Sequence, residues 1–442
     1  MKPTADLDHI IEEIELHGMH EWLLHTLTDA FFEARKHKLK TFNEHKYEVH
    51  WEENLIRLTD AILDDCYHPG GSVAFVIFDP MIREIFAAPF VDRVVHHLLY
   101  ELQGGWWDHH FINDSYSCRE GKGTLYGIQR AQKMMRQVTK NGTRRAMIIK
   151  LDIQGYFMSL PRKKLLERVE WGLERQFAPY TRDRSAAYDL KKLCKYLWKE
   201  ILLDDPASKA KKRGPLSNWD KLPHTKSLFF QPPGQGLVIG NLTSQLSSNI
   251  YLDIFDHYVK YELGYKYYGR YVDDFFIMVP IEDYEKAKQD VLKMDAFLKE
   301  MGLTLHPVKR YYQPAEKGMP FLGARIYTHC LYPSNRLQKK LKKAMYQIHH
   351  GQVKDATIIS YFGFFKHLDG DKYVKKIFQA ADLDYNLYLE AMSDDKDRRP
   401  MPDIIRDLRR SHFIDDADNV GEGGYARNCR LAKTNLKEKS KL

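Results

Sequence analysis

Cysteines are scarce in this sequence, and long apolar runs are absent. Five cysteines occur in 442 residues, far apart, and no two have the spacing of a zinc-binding pair. A disulfide-stapled secreted domain and a cysteine-based zinc site are therefore not expected. No apolar stretch approaches the roughly 20 residues that a membrane-spanning helix needs. The first residues, Met1 to Asp8, are polar and do not resemble a signal peptide. We expect a soluble protein of the reducing cytoplasm, with no membrane partner.

The sequence also lacks a strong excess of charge of either sign. Lysine and arginine number 68 against 60 aspartate and glutamate residues, which leaves a formal net charge of +8. This mild excess permits a polyanionic partner but does not require one. At 442 residues the chain has room for two or three domains, each with its own core.

Two adjacent carboxylates interrupt a pair of apolar, aromatic runs. Asp273 and Asp274 follow the run from Tyr265 to Tyr271 and precede the run from Phe275 to Val279. Such runs flanking a short polar step predict a β-hairpin with the acids at its tip. A third acid, Asp152, ends another strand-like stretch upstream. Carboxylates are costly to bury unless they are paired or bind cations.

Converging carboxylates suit magnesium, which prefers oxygen ligands and leaves positions open for substrate phosphates. Two such ions can support an in-line attack on a phosphate. The ordinary alternative is that these acids only cap turns at the ends of strands. The residues alone leave both interpretations open.

The coarse pattern predicts a mixed fold in four segments. Helical periodicity, strand-like runs and a Pro/Lys/Ser-rich stretch alternate along the chain. The predicted segments are an N-terminal helical region (1–70), a mixed helix and strand region (71–330) with a long surface insertion (about 204–235), a helical region (331–395) and a polar, loosely ordered tail (396–442).

Between about residues 30 and 380 the chain resembles the bacterial reverse transcriptases, because several motifs occur in that family's order. The matching segments are Arg83–Pro89 with Asp92–Arg93 (fingers), Asp152–Phe157 and Tyr271–Asp274 (palm), Leu305–Lys309, Phe321–Gly323 (primer grip) and Ser360–His367 (thumb). The resemblance implies an α+β fold of the right-handed polymerase type. An antiparallel palm sheet would be accompanied by fingers and a helical thumb.

Two segments narrow the resemblance to a subfamily. The stretch from Gly236 to Gln245, and the stretch from Ser115 to Thr124, are similar to those of diversity-generating retroelement polymerases and of some phage-defence enzymes. The insertion at about 204–235 departs from a compact retroelement enzyme. No ribonuclease H, integrase or zinc-bearing endonuclease block is visible in the sequence.

The resemblance assigns roles to the catalytic residues. It implies that Asp152, Asp273 and Asp274 hold Mg²⁺ or Mn²⁺, with Ile153 beside them in the metal and nucleotide sites. Lys309 would act as the general acid for departing pyrophosphate, although a solvated strand-end lysine is an equally good interpretation.

The resemblance also implies a nucleotide-binding set. Arg83 would contact the triphosphate, since a planar guanidinium suits phosphate oxygens; otherwise it is a surface arginine. The Phe157 ring would exclude the ribose 2′-hydroxyl, or it would only pack in the core. Ile239, Gly240 and Gln245 would line the floor under the incoming base, or they would be packing residues at a helix entry.

The expected function is RNA-directed DNA synthesis from dNTPs. The expected partners are a structured non-coding RNA template, a DNA product or primer, and an oligomeric partner or accessory protein. Antiviral defence and diversity generation remain two open biological settings. A polymerase-like RNA-binding scaffold that has lost catalysis is the alternative from a different class.

Overall fold

The computed structural model describes residues 6–36, 47–78, 81–180, 182–395 and 398–412. Most of these residues are helical, and short helices join the longer ones. The helices of at least eight residues, labelled α1 to α13 here, are Leu7–His17, Met19–Arg35, Trp51–Leu63, Phe90–His110, Thr124–Val138, Arg162–Phe177, Ser185–Leu203, Leu242–His257, Tyr284–Glu300, Asn335–Tyr346, Asp355–Phe365, Asp371–Ala380 and Tyr385–Met392, with a last one, α14, at Met401–Leu408.

Ten short strands, labelled β1 to β10, form three small sheets in the described part of the chain. In chain order the strands are Val73–Ile77, Arg83–Ala87, Ala146–Asp152, Lys211–Lys212, Tyr268–Tyr271, Asp274–Pro280, Tyr311–Pro314, Met319–Phe321, Ala324–Ile326 and Leu331–Pro333. The sheet orders are β2-β1-β4, β10-β9-β8 and β5-β6-β3-β7. The mixed helix and sheet composition predicted from the sequence is confirmed, including antiparallel sheets. The assignment to a right-handed polymerase stays a prediction.

The chain divides into two compact units. The first comprises Met1–Gly123, Lys150–Ile277 and Glu285–Tyr311, and the second comprises Thr124–Ile149, Met278–Tyr284 and Tyr312–Leu442. The predicted catalytic acids and the predicted nucleotide-binding residues all fall within the first unit. The predicted thumb falls within the second. None of the helices in the described part combines the length and apolar character that a bilayer crossing requires.

The second unit contains a helical core. Its basic helix α10 begins at Asn335, and the preceding residue, Ser334, caps it because its side chain accepts a hydrogen bond from the Leu337 amide. Leu341 and Met345 lie on the buried face of α10. Their apolar cluster continues into the following helices. Four lysines of α10 lie outside this buried set: Lys339, Lys340, Lys342 and Lys343.

The loosely ordered tail predicted after residue 395 was wrong for its described part. Helix α14 spans Met401–Leu408 there, and Ile404, Ile405 and Leu408 are buried in the core of the second unit. Two adjacent apolar residues and a third one helical turn later are enough to form a buried face, even among many charged neighbours. Residues 413–442 of the predicted tail lie outside the described residues.

The segment at 204–235 is only partly a surface insertion. Its strand β4 pairs with β1, and its Ser227 and Leu228 are buried. Both Ser227 Oγ and the Leu228 amide donate hydrogen bonds to the buried Glu84 carboxylate, at 2.6 and 2.8 Å. The polar composition of the segment conceals these few anchoring residues. Leu222 is buried as well, and most of the remaining residues between 211 and 226 are exposed.

Candidate active site

The predicted hairpin is present, and its turn carries the adjacent acids. Strands β5 and β6 pair antiparallel with Tyr271 opposite Asp274, so that Val272 and Asp273 form a two-residue turn. Val272 has a φ of 57°, in the left-handed region. Two-residue hairpins favour positive φ, but a β-branched side chain there is strained. The surrounding structure must hold this turn in place.

A buried arginine bonds the carbonyl of the turn residue Val272. Arg270 Nη1 donates to the Val272 carbonyl at 3.0 Å, while Nε and Nη2 donate to the two Asp256 oxygens at 2.7 and 2.6 Å. Both ionic side chains are fully buried. Burial alone disfavours the charge on Arg270, but attraction to Asp256 outweighs it and raises the pKa of the guanidinium. A buried, fully paired arginine fixes geometry well because its donor fork is rigid.

A second contact bonds the backbone amide of the same turn residue. Ser117 Oγ accepts a hydrogen bond from the Val272 amide at 3.3 Å. Ser117 is itself held by Asn249, whose side-chain amide donates to the Ser117 carbonyl at 2.8 Å. The backbone amide and carbonyl of Val272 therefore both have fixed partners. We call Arg270, Asp256, Ser117 and Asn249 the turn clamp.

Asp152 is the last residue of strand β3, which ends beside the turn of the hairpin. The amide of Ile153, the next residue, donates to the Asp273 carbonyl at 3.0 Å. Burial raises the pKa of the Asp273 carboxyl to about 6, and repulsion from Asp152 adds to the increase. Burial also raises the pKa of Asp274, with Lys150 opposing that effect. The three acids therefore feel one another's charge, as ligands of a shared cation site would.

Two lysines partly neutralise this cluster. Lys309 Nζ lies 2.9 and 3.0 Å from the two Asp152 oxygens, and Lys150 Nζ lies 2.6 Å from Asp274 Oδ1. The sequence predicted Lys309 but missed Lys150. Lys150 stands two positions before Asp152 on one strand, so both side chains lie on one face. That alternation was the available signal.

The oxygen-rich set fits a divalent cation. Asp152, Asp273 and Asp274 supply hard carboxylate oxygens, the ligand type that Mg²⁺ and Mn²⁺ prefer. Burial and, after it, repulsion from Asp152 disfavour the negative charge of Asp273 and raise the pKa of its carboxyl. A cation placed among these acids would compensate that charge.

Three of the predicted nucleotide-binding residues lie around one apolar cluster of the first unit. The Phe157 carbonyl accepts from the Leu237 amide at 2.8 Å, and the Ile239 carbonyl accepts from the Phe86 amide at 3.1 Å. The Phe157 and Ile239 side chains are partly buried against the cluster that contains Phe86. We call the surface formed by Phe157, Ile239 and Gly240 the nucleotide floor.

Gly240 is required by a close approach in this floor. Its φ is 134°, and a Cβ there would lie 2.7 Å from the Phe86 carbonyl oxygen. Any other residue would collide with strand β2. The sequence predicted Gly240 from the resemblance, and the structure adds this steric reason.

The remaining predicted residues are more scattered. Arg83 is the exposed first residue of β2, and among the described residues it makes no ion pair with the three acids. Gln245 is exposed in the first turn of α8, and Ile153 buries its side chain completely. The roles proposed for these residues, like those of the acids, stay predictions.

A second group of potential ligands, also missed by sequence analysis, lies apart from the acids. His110, Asp253 and His257 have ligand atoms within 4.8 Å of one another. Arg168 donates to Asp253 Oδ2 at 2.8 Å, and His257 Nδ1 lies 3.1 Å from Asp253 Oδ1. Side chains of the protein thus already balance the buried carboxylate. An ion-pair network accounts for this group.

No protein-family model matches the chain, and no curated protein matches it. The chain is similar to a solved structure of apo telomerase from Candida tropicalis at 13% identity and a TM-score of 0.41, over 74% of this chain and 58% of that one. It is also similar to a telomerase structure from the same organism in complex with a fragment of telomeric RNA. The identity there is 11% and the TM-score 0.41, over 81% of this chain and 67% of that one.

Proposed function

We propose that the chain is an RNA-directed DNA polymerase that extends a primer with dNTPs. The observation that carries the proposal is the meeting of Asp152 with Asp273 and Asp274 at a hairpin tip held by the turn clamp. The proposal is also supported by the motif resemblance over about residues 30–380. Metal ions bound to these acids would activate the primer hydroxyl and neutralise charge on the triphosphate.

The chain's own residues would position the reactants. The turn clamp fixes the backbone of Val272, and with it the two acids that follow. The ring of Phe157 lies five residues after Asp152 and would close the space that a ribose 2′-hydroxyl needs. Lys309, which pairs with Asp152, would deliver a proton to departing pyrophosphate. Ile239 can offer the base only shape, since it has no hydrogen-bonding group.

Primer extension tests the proposal. Purified protein should extend a DNA primer on an RNA template with dNTPs in Mg²⁺ or Mn²⁺ buffer, and should use rNTPs poorly. Product length is measured on a denaturing gel, with metal chelation as the negative control. No extension with any metal and any template would contradict the proposal and favour the RNA-binding scaffold.

We further propose that the template is one structured non-coding RNA encoded near the gene, in a bacterial setting of antiviral defence. Diversity generation is the alternative, and the two settings differ in the RNA that is copied. One RNA species should copurify through a high-salt wash and stimulate DNA synthesis, because specific RNA recognition depends on shape and stacking as well as charge. Sequencing that RNA distinguishes the settings. Heterogeneous host RNA, with equal activity on any template, would contradict both.

A further inference from the structure

The segment at 204–235 presents a fixed surface rather than a loose loop. The Lys211 amide donates to the Ser72 carbonyl at 2.9 Å, and the Arg213 amide donates to the Ala74 carbonyl at 2.8 Å. Glu84 fixes the other end through Ser227 and Leu228. Both ends of the segment are therefore tied to the sheet that contains β1 and β2. Groups exposed between them are held in defined positions.

The exposed part of this segment is strongly basic. Residues 206–235 contain six lysine and arginine residues and one acid, Asp220. Lys209 pairs with Asp204. In the described chain no carboxylate lies within 4.0 Å of Lys211, Arg213 or Lys226, and all three side chains are exposed. Cations left without partners on a fixed surface attract a polyanion.

The same segment, together with the loop after β1, exposes aromatic rings. Phe230 is 56% exposed, and its ring stacks on that of His224 with centroids 3.9 Å apart and an interplanar angle of 14°. Phe78, from the loop after β1, is 47% exposed, and Lys221 Nζ lies 5.7 Å from its ring centroid. Exposed rings beside cations are the features that bind unpaired nucleotides, because each base offers a flat face for stacking. Bases inside a duplex have no such free face.

We propose that this basic aromatic face, formed by Phe78, Lys211, Arg213, Lys221, His224, Lys226 and Phe230, binds single-stranded RNA. The proposal deepens the polymerase proposal and rests on it for the identity of the RNA, which would be the unpaired template. The segment that carries most of the face also contacts the nucleotide floor. Leu228 and Phe229 of this segment pack in the same apolar cluster as Phe157 and Ile239. A template strand held here would lead toward that floor.

The test measures binding of the full-length protein to a fluorescent single-stranded RNA of about 12 nucleotides, by anisotropy. The variant is Phe230→Ala, and the matched control is Tyr188→Ala. Tyr188 is 57% exposed and has Lys191 Nζ 5.9 Å from its ring centroid, but it lies on α7, outside the face. Stacking of one base predicts about 5- to 100-fold weaker binding for Phe230→Ala. Tyr188→Ala should bind as the wild type does.

The charges of the face have a separate signature. Replacing Lys211 and Lys226 by Gln removes two phosphate contacts, so the slope of log affinity against log salt should become shallower by about 1.4. Blunt RNA duplex of equal length should compete poorly with the single strand. Equal loss in the Phe230 and Tyr188 variants, no loss in either, or equal competition by duplex RNA or by polyglutamate would overturn the proposal.

A second assay distinguishes failure of the RNA-binding proposal from failure of the polymerase proposal. The wild type should extend a primer on an RNA template with only a two- or three-nucleotide overhang, which is too short to reach the face, so this assay tests the polymerase proposal alone. If the wild type makes no DNA on any template and yet loses RNA binding through Phe230→Ala, the face is confirmed and only the polymerase proposal fails.

Discussion

Replacing Arg270 by Lys should impair catalysis more than it impairs nucleotide binding. Lysine keeps a positive charge beside the buried Asp256, so the carboxylate is not left uncompensated and the protein should fold. A single ammonium cannot reproduce the fork that bonds both Asp256 oxygens and the Val272 carbonyl. The contact to Val272 is the one that we expect to be lost.

The size of the effect follows from that contact. A hydrogen bond from a charged donor contributes about 1.5–3 kcal/mol, and the left-handed conformation that it holds at Val272 costs about 1–2 kcal/mol. Without the bond, the turn should spend most of its time away from the catalytic position. The expected fall in kcat is about 10- to 100-fold, at about 1.4 kcal/mol for each factor of ten. The KM for dNTPs should change little, because the side-chain hydrogen bonds of Arg270 in the described chain go to Asp256, Asn249, Val272 and Ser115 and to none of the nucleotide floor.

The assay is steady-state primer extension, with thermal melting of each variant. Arg168→Lys is the matched control, since Arg168 also bonds a buried aspartate, Asp253, but does not touch the turn. It should lose stability and keep its kcat. Adding Val272→Gly to Arg270→Lys should recover part of the lost rate, because glycine adopts positive φ without strain. A folded Arg270→Lys variant with normal kcat would refute the role of the turn clamp.

Three further predictions concern single residues. Phe157→Ala should raise rNTP use relative to dNTP use by about tenfold, for about 1.4 kcal/mol of lost exclusion; an unchanged ratio with activity intact would make the ring a packing residue. Ile239→Gln should lower misincorporation about fivefold on a mixed-sequence template, for about 1 kcal/mol of gained hydrogen bonding; equal error spectra would exclude this position as a determinant. The pKa of Asp273 is about 6 in the folded protein, against an ordinary 3.8. Between pH 3.8 and 6 the metal-free folded protein therefore binds a proton at Asp273 that the unfolded chain does not. Its stability should therefore rise as pH falls from about 7 to 4, and Asp273→Asn should raise the melting temperature at pH 7 by the equivalent of about 1–3 kcal/mol, whereas the exposed Asp220→Asn should not.

The sequence predicted the parts of the site that depend on neighbouring residues. Two acids between apolar runs were sufficient to predict the hairpin, because alternation and turn chemistry are local properties. Asp152 was singled out as the end of a strand-like stretch, but no local pattern shows that it meets the other two acids, since its partners Asp273 and Lys309 lie more than 100 residues away. The clamp residues Arg270 and Ser117 were not predicted as such. No local pattern connects residues 155 positions apart.

Burial was the other property that composition concealed. The segment at 204–235 is polar on average, so its anchoring residues Ser227 and Leu228 were not expected to be buried. Helix α14 was missed for the same reason, although Ile404, Ile405 and Leu408 have helical spacing. In both cases a few buried residues decide the packing, and an average over the segment does not detect them.

The most direct test of the central claim is the double variant Asp273→Ala with Asp274→Ala. The account predicts that it folds, as judged by circular dichroism and by a melting temperature near that of the wild type, because the removal of two half-buried carboxylates with raised pKa values offsets the loss of the ion pair between Asp274 and Lys150. It also predicts no detectable dNTP incorporation on an RNA template in Mg²⁺ or Mn²⁺, under conditions in which the wild type makes full-length DNA. Appreciable polymerisation by the folded double variant would contradict the account.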